Sequence, residues 1–311
     1  MFDLVLLAKA VLVGALTAAT VMRLAACGAP RSWRRNASWT WAIGAGVLAA
    51  SGATDQWPYW PPLEDRARFL TLLVPLVLVV ETLTATMQSR GLAWIVRLGL
   101  TVVVAPILLH HSVYLADLNG HDSAEWSLYQ ATIALCGLAA LLALVWATLS
   151  ELQSRTSTPA VLWVLVFDAL ATAATVMLSG YFRGGLLGLG LAGAIAGATL
   201  ASYITQPRSP TSGSLGMSVI GIFTVVLLGR FFGTLSTSMA VCLLIAPLVA
   251  WTVELPRLRA LAPSWRGAGR LACVAIPLIV VVIVAQRKFA AASTARSRPS
   301  EPSASRDLIE E

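Results

Sequence analysis

Residues 160–179, AVLWVLVFDALATAATVMLS, decide the fold class, because they form an apolar run in which Asp168 is the single charged residue. A helix needs about 20 predominantly apolar residues to cross the hydrocarbon core of a bilayer. Just before the run, Thr158 can serve as N-cap and Pro159 can occupy the first helical position. The stretch therefore predicts a transmembrane helix that carries one buried acid.

Similar apolar runs recur along the chain and predict ten transmembrane spans in all. They lie at 4–24, 38–54, 68–87, 92–112, 127–149, 160–179, 184–204, 215–230, 233–252 and 269–287. The second run is short and Trp-rich, and GRFFG at 229–233 divides the eighth run from the ninth. We predict an all-α, polytopic helical bundle that forms one domain over 1–287. A polar tail at 288–311 follows it, and we expect that tail to be disordered.

The composition supports this class and excludes others. Of the 311 residues, 57% are hydrophobic and 12% are charged, whereas soluble domains have about 25% charged residues. The 22 basic residues lie mostly between the apolar runs, where they set membrane orientation, so no nucleic-acid partner is expected. The four cysteines lack metal-ligand spacing, and we predict no metal site, no disulfide framework and no cofactor. The expected partner is the lipid bilayer.

The charges of the loops predict how the chain is oriented, because cytoplasmic loops carry an excess of Arg and Lys. Loops 23–35 and 254–270 hold four Arg each, whereas 113–126 is acidic. We therefore expect an integral protein of a cell membrane, a bacterial inner membrane, with the N-terminus outside and both basic loops cytoplasmic. Ten spans place the C-terminus outside too, which the basic residues after the last span oppose. The span count and the side of the C-terminus thus stay open.

Short internal repeats indicate a possible duplication. TAATVM occurs at 17–22 and again at 172–177. AG-x-x-x-AS occurs at 45–51 and 196–202, and Ala-Pro after a hydrophobic residue occurs at 104–106 and 245–247. The alternative is coincidence in a composition rich in Ala, Leu and Val. A five-plus-five duplication would place the two halves in inverted orientation, as is common in secondary transporters.

Two charged residues of neighbouring spans are predicted to meet. Glu81 in the third span and Arg97 in the fourth lie equally far from the apex of their hairpin near residue 89. Because equal distance from the apex means equal depth, and an unpaired charge there is costly, we predict an interhelical ion pair. Such a pair could belong to a translocation path or simply clamp the hairpin. Alternatively, Arg97 could extend to the cytoplasmic interface.

Asp168 lies near the middle of the sixth span and begins a polar stripe. Thr172, Thr175 and Ser179 follow it at helical spacing, so all four side chains share one face. Such a stripe should face a water-filled cavity or neighbouring helices, and not lipid. Asp168 could be a protonatable or cation-coupling carboxylate. Alternatively it could be neutral, or paired with Arg97, and only fix the packing of the helices.

Two loop features have plainer explanations. His110 and His111 diverge by about 100° on a helix and cannot easily share a metal, and Asp122 with Glu125 fits an N-cap of the fifth helix. The aromatic residues of WPYWPP at 57–62 could bind a sugar or a lipid head group, but they fit an interfacial aromatic belt better.

The seventh span is rich in glycine. It holds six glycines, with Gly184/Gly188 and Gly193/Gly197 at small-xxx-small spacing. Small residues at this spacing allow helices to pack closely, either within the chain or in a homo-oligomer. We therefore expect a tight helix–helix contact here and consider an oligomer through this helix.

These observations favour a small secondary transporter or permease whose small-molecule substrate the sequence does not specify. The candidate residues are Asp168, Glu81, Arg97, Thr172, Thr175 and Ser179, and none is predicted to be catalytic. In length and span count the chain is similar to the drug/metabolite transporter superfamily. It carries none of that family's signatures, and its expected orientation differs from the usual one, so no membership follows. The alternative is a non-catalytic membrane scaffold or assembly subunit, and a lipid-modifying enzyme is a weaker third.

Overall fold

A computed structural model describes residues 3–27, 32–57, 59–115, 126–156, 160–205, 212–255 and 263–297. Within these ranges the chain is helical and contains no strand. The predicted start signal at Thr158 and Pro159 and most of the acidic loop 113–126 lie outside the described residues, as does the tail beyond Ser297.

Ten long helices follow one another, and they correspond to the ten predicted spans. They are α1 (Leu4–Cys27), α2 (Ser32–Ala53), α3 (Asp65–Thr86), α4 (Arg90–Leu109), α5 (Leu128–Ser154), α6 (Ala160–Leu178), α7 (Phe182–Thr205), α8 (Ser212–Phe231), α9 (Thr237–Glu254) and α10 (Pro263–Ser297). The prediction of an all-α, polytopic helical bundle is confirmed. Within the described ranges, nine of the ten helices are long and apolar enough to cross a membrane.

The exception is α2, whose sequence is less apolar. This helix packs against α1, α3, α7 and α8, and most of its described side chains are buried. Trp39 and Thr40 face the interior, and the Thr40 hydroxyl donates to the carbonyl oxygen of Gly213 at 2.9 Å. Because protein surrounds α2 on most sides, it needs no continuous apolar surface towards lipid.

Short connections make neighbouring helices antiparallel, so the bundle has two ends. We call the end that holds the connections 54–64, 110–115, 179–181 and 232–236 the upper end, and the opposite one the lower end. At the lower end, the side chain of Gln153 on α5 donates to the Ser214 hydroxyl of α8 at 3.3 Å.

The glycines of α7 are used within the chain. A Cβ atom at Gly197 would lie 2.1 Å from the carbonyl oxygen of Ala15, and one at Gly193 would lie 2.3 Å from that of Val11. The backbones of α1 and α7 therefore approach more closely than any larger residue allows. The expected tight contact is confirmed between α7 and α1, while an oligomer through α7 stays a prediction.

Several local details differ from the predictions. α5 begins at Leu128 with a capping box of Ser127 and Gln130, and Asp122 and Glu125, which were predicted to cap this helix, lie outside the described residues. α10 is continuous to Ser297, ten residues beyond the predicted end of the domain at 287, while the disordered tail stays a prediction. The hydrogen-bonding pattern of α10 simply continues beyond the apolar segment on which the boundary was based. The five-plus-five duplication stays a prediction.

Two helices are irregular. α3 contains a π-helical turn at Phe69–Leu73. α9 is α-helical over Thr237–Ile245 and then becomes a 3-10 helix over Ala246–Glu254. A 3-10 stretch this long is uncommon and often marks strain or a functional hinge.

Candidate functional site

The predicted ion pair between α3 and α4 is confirmed. Arg97 donates from Nε to Glu81 Oε1 and from Nη2 to Glu81 Oε2, each at 2.9 Å, and a further bond reaches Thr84 Oγ1 at 3.3 Å. Both residues are buried, and Glu81 is only 1% exposed. The two parallel bonds satisfy both carboxylate oxygens, which is the strongest arrangement available to an Arg–carboxylate pair.

Other helices complete the surroundings of this pair. The guanidinium carbon of Arg97 lies 5.7 Å from the ring centres of both Trp94 and Trp146, within cation–π range. On α8, a Cβ atom at Gly216 would lie 2.7 Å from Glu81 Cδ, so the carboxylate fits only because position 216 has no side chain. The roles of Trp146 and Gly216 were missed, because they lie far from the pair in sequence and show no pattern of their own.

Asp168 lies in the middle of α6 and has no such partner. The residue is 1% exposed, and its Oδ1 atom accepts no hydrogen bond. Among the described residues no ion pair involves it, and the guanidinium of Arg97 is engaged by Glu81. The alternative in which Arg97 pairs with Asp168 is therefore wrong, because Arg97 on α4 already forms its ion pair with Glu81 on α3.

A small internal cavity of about 10 Å³ lies beside Asp168. This is about the space that a single water molecule needs. Apart from Asp168, its lining is apolar and comes from α5, α6, α8 and α9: Leu142, Val145, Leu149, Leu165, Val219, Ile222, Phe223, Leu244 and Pro247. The carboxyl group thus borders a cavity whose other walls are hydrocarbon.

The predicted polar stripe faces the interior of the bundle. Thr172, Thr175 and Ser179 are all buried. Thr175 donates to the carbonyl oxygen of Ala171 at 2.7 Å, and Ser179 donates to that of Val176 at 2.8 Å. The Thr172 hydroxyl has no hydrogen-bond partner. One helical turn therefore carries two unsatisfied side chains, Asp168 and Thr172, where buried polar groups are usually bonded.

The irregular helix α9 forms part of the same cavity. Leu244 lies in its α-helical part and Pro247 in its 3-10 part, and both line the space beside Asp168. Proline has no N–H and cannot donate the hydrogen bond that would continue the α-helix. The sequence showed Pro247 only as part of a repeated Ala-Pro pattern, which did not reveal a change of helix type beside the acid.

The upper end of the stripe is covered by the α8–α9 connection. Thr234 donates to the Ser179 carbonyl oxygen from its backbone N–H at 3.0 Å and from its hydroxyl at 2.8 Å. Ser179 also lines a pocket of about 570 Å³ at this end. The stripe therefore runs along α6 from the small cavity beside Asp168 to the large pocket that Ser179 lines.

A second polar group at the upper end ties α3 to the α6–α7 turn. The Tyr181 hydroxyl donates to Asp65 Oδ2 at 2.7 Å. Burial, together with the charge and hydrogen bond of Asp65, raises the pKa of Tyr181. Nearby, the buried Arg68 donates to the carbonyl oxygens of Pro62, Leu63, Leu108 and His110. The sequence did not reveal this group, because its members come from α3, α4 and three separate connections.

The remaining loop candidates lie apart from Asp168. The rings of His110 and His111 meet edge to face with centres 4.1 Å apart, and burial together with the charges of His111 and Arg68 lowers the pKa of His110. Among the residues that the structure describes, no group of three His, Cys, Asp or Glu could hold a metal ion. Trp57, Tyr59 and Trp60 are exposed at the upper end, and their place in an aromatic belt stays a prediction.

Comparison with protein-family models, with curated proteins and with solved structures found no match, so the site must be interpreted from its own geometry.

Proposed function

We propose that this multi-pass membrane protein is a small secondary transporter or permease, with Asp168 as its proton- or cation-coupling group. The observation that carries the proposal is the unpartnered carboxylate oxygen of Asp168 in an apolar cavity, beside the point where α9 changes from α-helix to 3-10 helix. An intramembrane acid without a partner is expensive to keep. Transporters commonly place their coupling sites beside interrupted helices near the bilayer midplane.

The energetics define two forms of the site. Protonated Asp168 can occupy the closed cavity without a counter-charge, whereas the ionised carboxylate needs water or a cation. A space of about 10 Å³ leaves no room for a hydrated ion. Ionisation should therefore require the cavity to open, and the 3-10 part of α9 is the wall best suited to move. The Thr172–Ser179 stripe would supply the polar route to the upper end.

The orientation is part of the proposal. With the basic loops 23–35 and 254–270 at the lower end, that end faces the cytoplasm of a bacterial cell, and the upper end faces outward. The α6 stripe and the large pocket beside Ser179 then lie on the outer side. The N-terminus, at the start of α1, lies outside as well.

A scaffold or assembly subunit is the second candidate, and the close backbone contact between α1 and α7 favours it. Gly193 and Gly197 bring the two helices together without space for side chains, and the Glu81–Arg97 pair clamps another hairpin. In a scaffold the cavity would never open, and Asp168 would stay protonated as a packing residue.

Reconstitution in liposomes distinguishes the two. With an entrapped pH-sensitive dye, a panel of amino acids, sugars, carboxylates and nucleosides is added outside, and proton movement is recorded. A transporter should show a pH change with at least one compound class, and Asp168→Asn should reduce that rate by about tenfold or more.

Glu151→Gln is the matched control, because Glu151 is an exposed acid that pairs only with Arg155 one turn away. It should transport like the wild type. If no compound moves protons and Asp168→Asn changes only thermal stability, the transporter proposal fails and the scaffold is favoured.

A further inference from the structure

The pocket beside Ser179 lies between the α6–α7 turn, the α8–α9 connection and the last turns of α10. Its volume of about 570 Å³ is in the range of ligand-binding pockets. Unlike the cavity at Asp168, it is open at the surface of the bundle and can admit a ligand without any rearrangement of the helices.

Apolar side chains dominate its walls. Leu178 and Leu235 contribute from the upper ends of α6 and the α8–α9 connection, and Met239 and Phe289 contribute from α9 and α10. A wall of this kind suits a hydrocarbon chain, because each methylene group that leaves water contributes favourably. A strongly hydrated solute would find few partners here.

One cation stands in this apolar wall. Lys288 lines the pocket, and the nearest polar contact of its ammonium nitrogen is the Met239 sulfur at 3.9 Å. None of the pocket-lining residues in the described part of the chain is acidic. A thioether neutralises no charge, so the ammonium group is available to an anion that enters the pocket.

The depth of Lys288 in the membrane narrows the choice of anion. α10 has 35 residues, and its apolar part at 269–287 has about the 20 residues that cross the hydrocarbon core. Lys288 follows this part directly, at the level of the lipid head groups. On α10, Ala285 lines the pocket one turn nearer the core than Lys288, and Met239 contributes from the first turn of α9.

We infer that this pocket is a binding site for an anionic phospholipid, with one acyl chain against Leu235, Met239 and Ala285 and its phosphate at Lys288. The hydroxyls of Ser293 and Thr234 stand in the same wall but donate to the carbonyl oxygens of Ala290 and Ser179, so Lys288 is the donor that remains for the phosphate. This inference does not depend on transport, because the site is complete without Asp168.

The test is native mass spectrometry of the full chain, titrated separately with phosphatidylglycerol and phosphatidylcholine of identical acyl chains. We expect phosphatidylglycerol to bind at least about fivefold more tightly. Lys288→Gln should remove that preference. Arg287→Gln is the matched control: it changes the same charge on the adjacent residue, which does not line the pocket, and should keep the preference.

A second pair of variants tests the apolar part. Ala292→Trp fills the pocket and should abolish tight binding of both lipids, whereas Ala291→Trp, on a residue outside the lining, should bind like the wild type. Circular dichroism and size-exclusion elution confirm that all variants fold. Asp168→Asn should also bind lipid normally, which separates this inference from the proposed transport.

Three results would overturn the inference. One is equal loss of the lipid preference in Lys288→Gln and Arg287→Gln. Another is unchanged binding in Ala292→Trp. The third is tight lipid binding that occurs only in a chain ending at Ser297, which would make the chain's own residues 298–311 the occupant.

Discussion

Glu81 and Asp168 are two acids buried to the same extent, each 1% exposed, in different parts of one bundle. Glu81 receives two parallel bonds from Arg97, and four helices close around the pair. Asp168 has an oxygen without a partner, and its neighbours are apolar. The comparison shows that burial alone does not define the role of an intramembrane acid, and that its partners do.

The helix conformation around the two acids differs as well. Glu81 lies in the regular α-helical part of α3, Val74–Thr86, and a glycine at position 216 admits the carboxylate. Beside Asp168 the helix α9 changes to a 3-10 conformation at Ala246. A matched pair in regular helices holds the fold together, whereas a lone acid beside an irregular helix can change its protonation when the helix moves.

The largest expected effect is that of Glu81→Gln. The amide cannot neutralise Arg97, whose charge then stays buried, and we expect the free energy of unfolding to fall by about 3–5 kcal/mol. Denaturant or thermal unfolding in detergent measures it. The double replacement Glu81→Leu with Arg97→Met removes both charges and should recover most of the loss. A single variant as stable as the wild type would show that the pair is not a clamp.

Gly216→Ala should have the next largest effect. Its methyl group would lie 2.7 Å from Glu81 Cδ and would push the carboxylate away from Arg97. Overpacking of this kind costs about 1–3 kcal/mol, measured in the same unfolding experiment. Gly137→Ala is the control, since a Cβ atom there meets nothing within 4 Å. Equal stability of the two variants would contradict the tight fit around Glu81.

Asp65 is intermediate between Glu81 and Asp168, because its partner is the phenol of Tyr181 and not an arginine. Tyr181→Phe removes that bond and should cost about 1–2 kcal/mol. Because the folded state raises the pKa of Tyr181, its contribution to stability is present below the ordinary value of 10.0 and is lost as the pH rises above it. The wild type should therefore lose more stability than Tyr181→Phe between about pH 9 and pH 11. If the wild type and Tyr181→Phe lost equal stability over this pH range, the contact between Tyr181 and Asp65 would be contradicted.

The smallest effect on stability is expected for Asp168→Asn. No ion pair is lost, so the free energy of unfolding should change by less than about 1 kcal/mol, although the substitution removes a buried acid just as Glu81→Gln does. Differential scanning calorimetry of Asp168→Asn and Glu81→Gln in one detergent gives the comparison directly. A loss as large as that of Glu81→Gln would mean that Asp168 has a partner on which the fold depends.

The sequence predicted more of the fold than of the site. Apolar run lengths identified ten helices, and the symmetric placement of Glu81 and Arg97 about residue 89 identified their contact, because both features depend on local spacing. The residues that surround the cavity beside Asp168 could not be predicted, since Phe223 and Pro247 reach it only through the packing of α8 and α9. The hydropathy of α2 did not indicate its position within the bundle. Hydropathy reports exposure to lipid, and α2 is enclosed by protein on most sides.

The central claim is that the stripe beside Asp168 opens, and thiol accessibility tests it most directly. In a background where Ser replaces Cys27, Cys136, Cys242 and Cys273, single cysteines are introduced by Thr172→Cys, Ala173→Cys or Ser179→Cys. A membrane-impermeant maleimide is then applied to proteoliposomes of each orientation. Ser179→Cys should react quickly from the upper end and Ala173→Cys, which faces α7, should stay protected. The account predicts slow but complete labelling of Thr172→Cys in the folded protein. Protection of Thr172→Cys equal to that of Ala173→Cys until the protein unfolds would contradict it.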